Sequence, residues 1–130
     1  MTSEAEPHDT CLLVGGGASL GNKSAADRDS DHAPCWVALV GRYLYSSNSP
    51  SHSISRYVVT GSRIVLDAPV AAMTSGAPTD IGSSGKIVAV LDGGAQTHLT
   101  QFEVGDDGAL RQLAVSIVNR GANGVAVIGR

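Results

Sequence analysis

A unit of about 44 residues recurs along the chain, and this repeat restricts the possible folds more than any other feature. Gly41–Tyr45 is matched in form by Gly85–Ala89, 44 residues further on. Val37–Arg42 returns as Val125–Arg130 after 88 residues, which is twice the period. A repeat of this length is typical of folds built from one supersecondary unit that stacks against copies of itself.

Each unit contains four short segments rich in Val, Ile, Tyr and Thr, separated by Gly, Asn, Asp, Ser or Pro, as expected for β-strands and turns. We predict strands at 35–40, 42–47, 53–59, 63–70, 79–83, 86–91, 97–104 and 110–117. Ile54–Val59 is matched by Leu99–Val104 at 45 residues, so the second unit gains one loop residue. Gly105–Gly108 predicts a tight hairpin, and Asp92–Gly94 is expected to provide positive-φ turn positions.

No window of about a dozen residues shows the 3.6-residue period of a helix, so we predict that helix is nearly absent. Four-stranded antiparallel units at this period are typical of β-propeller blades. A seven- or eight-stranded sandwich has similar strand spacing, but it does not require a whole-unit repeat. We therefore predict an all-β fold with two four-stranded antiparallel blades, at 33–76 and 77–120, and a closing strand over 121–130.

The first 32 residues differ from the rest in charge and composition. They hold six acidic and two basic residues and are rich in Gly and Ser, and we predict a largely irregular, flexible arm with one possible strand at Cys11–Val14. The whole chain has a net charge of −3, which disfavours binding to nucleic acid or to an anionic membrane. The acidic start is unlike a secretory signal and no apolar run is long enough to span a bilayer, so we expect a cytoplasmic protein.

The repeat motifs resemble those of the lactonase-type seven-bladed β-propeller family, which includes 6-phosphogluconolactonases and 3-carboxy-cis,cis-muconate cyclase-like proteins. The resemblance covers about three-quarters of the chain and rests on four segments, at Ala33–Ala38, Gly41–Asn48, Ala77–Asp80 and Gly121–Ala126. It implies a C-terminal piece of about two blades and a lactone of a sugar acid, or a muconate-type compound, as ligand. Most of the family's catalytic positions, if drawn from several blades, have no counterpart in this chain.

Propeller ligands bind where the loops between strands 4 and 1 and between strands 2 and 3 gather around the axis. The candidate ligand-binding residues in these loops are Trp36, Asn48, His52, Asp80, Asp92, His98 and Asn123. The aspartates can act as a general base or bind a cation, the histidines can transfer protons, and Trp36 can form a pocket wall. The alternative is structural: Asp and Asn side chains cap turns, and Trp36 packs between blades.

Three other patterns fail on their spacing, so we predict no metal and no cofactor. Gly16–Ser24 approaches a phosphate-binding loop, but Asn22 interrupts the Gly-Lys-Ser sequence that the motif needs. Asp27–Asp31 opens like a calcium-binding loop, yet His32 stands where Gly is required. His32 and Cys35 have no further ligands at ordered spacing for zinc.

Two blades without neighbours would leave outer sheet faces and strand edges bare. We therefore expect the chain to form a homo-oligomer, to associate with another propeller chain, or to be marginally stable. Lactone hydrolysis would then require an assembled ring, and the isolated chain would be inactive. The alternative function is a non-catalytic propeller remnant or protein-interaction module.

Overall fold

The computed structural model describes residues 34–122 and 124–129, and this part of the chain is all-β. It contains eight strands: β1 (Pro34–Val40), β2 (Tyr43–Asn48), β3 (Ser53–Thr60), β4 (Arg63–Met73), β5 (Ala77–Ser84), β6 (Ile87–Gly93), β7 (Thr97–Val104) and β8 (Leu110–Val118). No described residue belongs to a helix. This part of the chain therefore contains no helix that could cross a membrane. The predicted fold class is confirmed, whereas the predicted arm and the strand at Cys11–Val14 lie outside the described residues.

The strands form two four-stranded antiparallel sheets in simple sequence order, β1-β2-β3-β4 and β5-β6-β7-β8. The tight turns between the first two strands of each sheet use Gly41 and Gly85, with φ angles of 58° and 57°. The expectation of positive φ within Asp92–Gly94 was wrong. Strand β6 instead continues through Gly93, which pairs with Ala77, so the backbone there stays extended.

The register between strands confirms the extra loop residue in the second unit. Asn48 on β2 pairs with Ser53 on β3, whereas the equivalent Asp92 on β6 pairs with His98 on β7. The β6–β7 connection is therefore one residue longer than the β2–β3 connection. His98 of the second unit therefore occupies the position of Ser53 in the first and lies opposite the acidic side chain.

The main core lies between the two sheets, and β5 packs against β1 and β2. Its buried side chains come from both sheets and comprise Ala38, Val40, Tyr43, Tyr45, Ile54, Ile81, Val88, Val90, Phe102 and Val104. Burying one such aliphatic side chain contributes about 1.5–3 kcal/mol, so this shared core holds the sheets together. The Tyr45 hydroxyl also crosses the interface and donates a hydrogen bond to the Gly108 carbonyl at 2.5 Å.

The outer face of the first sheet is less exposed to solvent than we predicted for two blades without neighbours. Leu44, Tyr57 and Ile64 on this face are buried and form a second apolar cluster. Leu39, by contrast, is about half exposed, at 55 %. The centre of the face is thus withdrawn from solvent while its β1 edge remains open.

Residues 124–129 lie along β5 in the position expected of a closing segment. The Val125 N–H donates to Asp80 Oδ2 at 2.8 Å, and a Cβ at Gly82 would stand 3.4 Å from the Val125 carbonyl oxygen. One unit earlier in the chain, Ser83 Oγ of β5 donates to the Leu39 carbonyl of β1 at 3.0 Å. The segment therefore contacts β5 much as β5 contacts β1, but residues 124–129 form no strand, so the closing strand predicted over 121–130 was wrong for the described residues.

Candidate functional site

Four of the site candidates, Asn48, His52, Asp92 and His98, lie at one end of the two sheets, where residues 49–52, 74–76 and 94–96 connect the strands; we call this the loop end. Backbone contacts hold these connections together. The Thr74 N–H donates to the His52 carbonyl at 2.8 Å, and His52 itself adopts a φ of 52° within its turn. The loops of both sheets that were expected to carry ligand contacts thus meet at the same end.

Asp92 and His98 form the most distinctive pair at the loop end. The last residues of β6 and the first residues of β7 place them opposite each other, with His98 Nδ1 and Asp92 Oδ1 3.1 Å apart. The Asp92 side chain is fully buried, while the His98 side chain is 21 % exposed. The other carboxylate oxygen, Asp92 Oδ2, is buried and has no hydrogen-bond partner among the described residues.

This arrangement suits proton transfer. With Nδ1–H donating to a carboxylate, the imidazole carries its lone pair on Nε2, which has no hydrogen-bond partner in the part of the chain described. A carboxylate that orients an imidazole in this way also stabilises the imidazolium that forms when Nε2 accepts a proton. The pair can therefore act as a general base with its reactive nitrogen directed away from the carboxylate.

The equivalent position in the first sheet has a structural role instead. Asn48 is also fully buried, and its amide donates to Ser53 Oγ at 3.2 Å and to Ser55 Oγ at 2.8 Å. Its carbonyl oxygen accepts a hydrogen bond from Ser46 Oγ at 3.3 Å. Asn48 is thus satisfied by its neighbours, whereas Asp92 is not, and this contrast separates a structural position from a reactive one.

The loop between β4 and β5 covers Asp92. A Cβ at Gly76 would lie 3.3 Å from Asp92 Oδ1 and would overlap the Gly93 carbonyl oxygen, so only glycine fits there. Thr74 Oγ1 donates to the Gly76 carbonyl at 2.7 Å and fixes the loop in this position. The loop therefore excludes water from the carboxylate and leaves the imidazole as the accessible part of the pair.

The other predicted residues do not join this pair. Asp80 lies on β5, where its two carboxylate oxygens accept the backbone N–H groups of Ile81 and Val125, both at 2.8 Å. Trp36 is partly exposed on β1, and His52 is exposed in the β2–β3 turn. No hydrogen bond of the described residues links Trp36, His52 or Asp80 to His98, and Asn123 lies outside the described residues.

A cleft of about 350 Å³ opens at the opposite end of the sheets, which the sequence analysis did not identify as a site. It lies between the β1–β2 turn of the first sheet and the β5–β6 and β7–β8 turns of the second. Its lining residues are Val40, Gly41, Arg42, Tyr43, Gly85, Lys86, Val104, Gly105 and Asp106. The signal that could have revealed it is the recurrence of glycine followed by a basic residue, at Gly41-Arg42 and Gly85-Lys86.

The tyrosines near this cleft link the two sheets. Burial raises the pKa of Tyr45 to about 12, although the Arg56 guanidinium acts in the opposite direction. A buried tyrosine of this kind stays protonated and keeps donating to Gly108 over the whole physiological pH range.

No group of three or more side chains suited to hold a metal ion occurs among the described residues.

Comparison with solved structures supports the propeller-like fold. The chain is similar to a protein from Lactobacillus plantarum whose crystal structure was determined by a structural-genomics consortium, with a TM-score of 0.52 and 16 % sequence identity. The match covers 65 % of this chain and 26 % of that protein, so the chain spans about a quarter of its length. No protein-family model matches the chain, and no curated protein does. The similarity, together with the two repeated four-stranded sheets, defines a propeller-like, all-β fold.

Proposed function

We propose that this chain is part of a lactonase-type propeller and that the Asp92–His98 pair acts as the general base for hydrolysis of a sugar-acid lactone. The observation that carries the proposal is the pairing of His98 Nδ1 with a fully buried carboxylate at the loop end, which leaves Nε2 available. The lactone as substrate class comes from the resemblance of the repeat motifs to the lactonase-type family. The propeller-like fold agrees with that resemblance.

The proposed reaction proceeds through a tetrahedral intermediate. His98 Nε2 takes a proton from a water molecule while the water oxygen bonds to the lactone carbonyl carbon. The ring C–O bond then breaks, and the alkoxide oxygen receives the proton from the imidazolium, giving the open hydroxy acid. Asp92 holds the ring in place and stabilises its positive charge between the two steps.

Activity is expected only in an assembled ring, because an axial pocket requires loops from several blades. Side chains that an assembly could cover include Met73, Ile117 and Ile128, which are more than half exposed. Size-exclusion chromatography with light scattering would separate monomer from oligomer. Each fraction would then be assayed with gluconolactone and phosphogluconolactone, and we expect hydrolysis in the oligomeric fraction alone.

Two substitutions test the roles of the pair. His98→Gln should lower kcat by about 10²–10⁴-fold, the usual contribution of general-base catalysis. Asp92→Asn should lower kcat as well, because a neutral amide no longer stabilises the imidazolium. His52→Gln is the comparison variant, since His52 is an exposed histidine at the same end without a carboxylate partner in the described structure; a loss of kcat as large as that of His98→Gln would contradict the assignment of the general base to His98.

The second candidate function is a non-catalytic interaction module. It is favoured by residues 124–129, which lie along β5 without joining a strand ladder and expose 89 % of Ile128. If no fraction hydrolyses either lactone faster than buffer, the enzymatic proposal is refuted and the module remains. In that case Ile128→Ser should weaken self-association measured by light scattering, while His98→Gln should leave it unchanged.

A further inference from the structure

We propose that the cleft between the β1–β2 and β5–β6 turns binds a phosphate group, as the anion itself or as a small phosphate monoester. This site lies at the opposite end of the sheets from Asp92 and His98, and its existence does not depend on lactone hydrolysis. Both sheets line it, with Val40 and Arg42 from the first and Lys86 and Val104 from the second. Its volume of about 350 Å³ is sufficient for a small ligand.

Arg42 is the central group because its guanidinium is positioned by a neutral neighbour, Tyr43. Its Nη2 donates to the Tyr43 hydroxyl at 3.1 Å, and its guanidinium carbon lies 5.2 Å from the centre of the Tyr43 ring. The nearby Arg56 differs, since its Nε pairs with Asp67 Oδ2 at 2.7 Å. No carboxylate forms a salt bridge with Arg42 among the described residues, so its positive charge remains available to an anion.

Lys86 supplies a second positive charge from the other sheet. Its Nζ lies 3.2 Å from Asp106 Oδ1, and the two side chains are 68 % and 99 % exposed. Exposed pairs of this kind contribute little, so a phosphate can displace the carboxylate without a large cost. The arginine fork binds two phosphate oxygens, and the lysine adds a point charge, a combination suited to a dianion.

Two glycine turns form part of the cleft lining. Gly41 and Gly85 stand directly before Arg42 and Lys86 at equivalent positions of the two units, and each has positive φ. A Cβ placed on either glycine would have no atom within 4 Å, so both turns are open to their surroundings. Val40 and Val104 form an apolar part of the lining that can accommodate the carbon skeleton of a monoester.

The probe for this site is inorganic phosphate, titrated into the full-length chain at constant ionic strength and followed by calorimetry. Glycerol phosphate provides a second arm, which distinguishes a monoester site from one for the free anion. We expect saturable binding of at least one of them, weakened more than 10-fold by Arg42→Gln and about 3- to 10-fold by Lys86→Gln. The first factor corresponds to the loss of a charge-assisted contact, and the smaller second factor to the loss of an exposed, solvent-screened one.

Arg63→Gln is the matched control. Arg63 is an exposed arginine at the start of β4, near the same end of the sheets, but it does not line the cleft. Its substitution should leave phosphate affinity unchanged, and thermal unfolding without phosphate should verify that all three variants are folded. The proposal is overturned if the wild-type chain shows no saturable binding, or if Arg63→Gln weakens binding as much as Arg42→Gln.

Discussion

Replacing Gly108 with alanine tests the packing of the two sheets most directly. Gly108 has a φ of 82°, and a Cβ added there would lie 2.7–2.9 Å from three atoms of the Tyr43 ring on the other sheet. Carbon atoms in contact normally stand about 3.5–4.0 Å apart, so either the ring or the turn must move. The substitution therefore perturbs both the turn and a contact between residues that are distant in the sequence.

The expected cost has two separable parts. A non-glycine residue in the left-handed region costs about 1–2 kcal/mol, and overpacking against a buried ring adds about 1–3 kcal/mol. Gly41→Ala supplies the matched control, because Gly41 has a φ of 58° but no atom within 4 Å of the added Cβ. Gly108→Ala should thus lower the free energy of unfolding by about 2–5 kcal/mol, and Gly41→Ala by only about 1–2 kcal/mol.

Urea unfolding followed by circular dichroism, with the slope checked for constancy between variants, measures both values. When Tyr43 is replaced with leucine, the cost of Gly108→Ala in free energy of unfolding should fall close to that of Gly41→Ala, because the smaller side chain leaves room for the added Cβ. Equal destabilisation by the two alanine substitutions would show that Gly108 does not rest on Tyr43. The packing of the second sheet against the first would then be different from that described here.

The remaining predictions concern the core, the buried tyrosine and the loop end. Ile54→Ala should lower the free energy of unfolding by about 2–5 kcal/mol because the Ile54 side chain is fully buried. Ile117 is 66 % exposed, so Ile117→Ala should change that free energy by less than about 0.5 kcal/mol. The urea midpoints of the two variants measure the difference. The pKa of Tyr45 in the folded state is raised to about 12. The stability that this residue contributes is therefore complete below pH 10 and is lost as the pH rises toward 12. Tyr45→Phe should reduce the fall of the thermal midpoint over this alkaline range. Asp92→Asn should leave the urea midpoint unchanged or raised, since it removes a buried carboxylate whose Oδ2 has no partner in the described structure; a large destabilisation would show that the charge is needed for folding.

The candidate site was only partly predictable. Asp92 and His98 were both identified from their loop positions, and the extra residue between β6 and β7 follows from comparing the units. Their pairing, however, depends on the register of two strands and on the closure of the Gly76 loop over the carboxylate. Asp80 has the same residue type in a similar context, yet its carboxylate is occupied by two backbone N–H groups.

Local pattern and periodicity in the sequence determined the eight strands, their antiparallel order and the offset between the two units. These features depend on residues close together in the chain, and the repeat shows the same pattern in two successive units. The tertiary structure alone decided which side chains meet across the sheets, such as Tyr45 with Gly108 and Arg42 with the cleft that contains Lys86. Such contacts depend on the angle and distance at which two sheets pack, and these arise from the combined shape of many buried side chains rather than from any single segment.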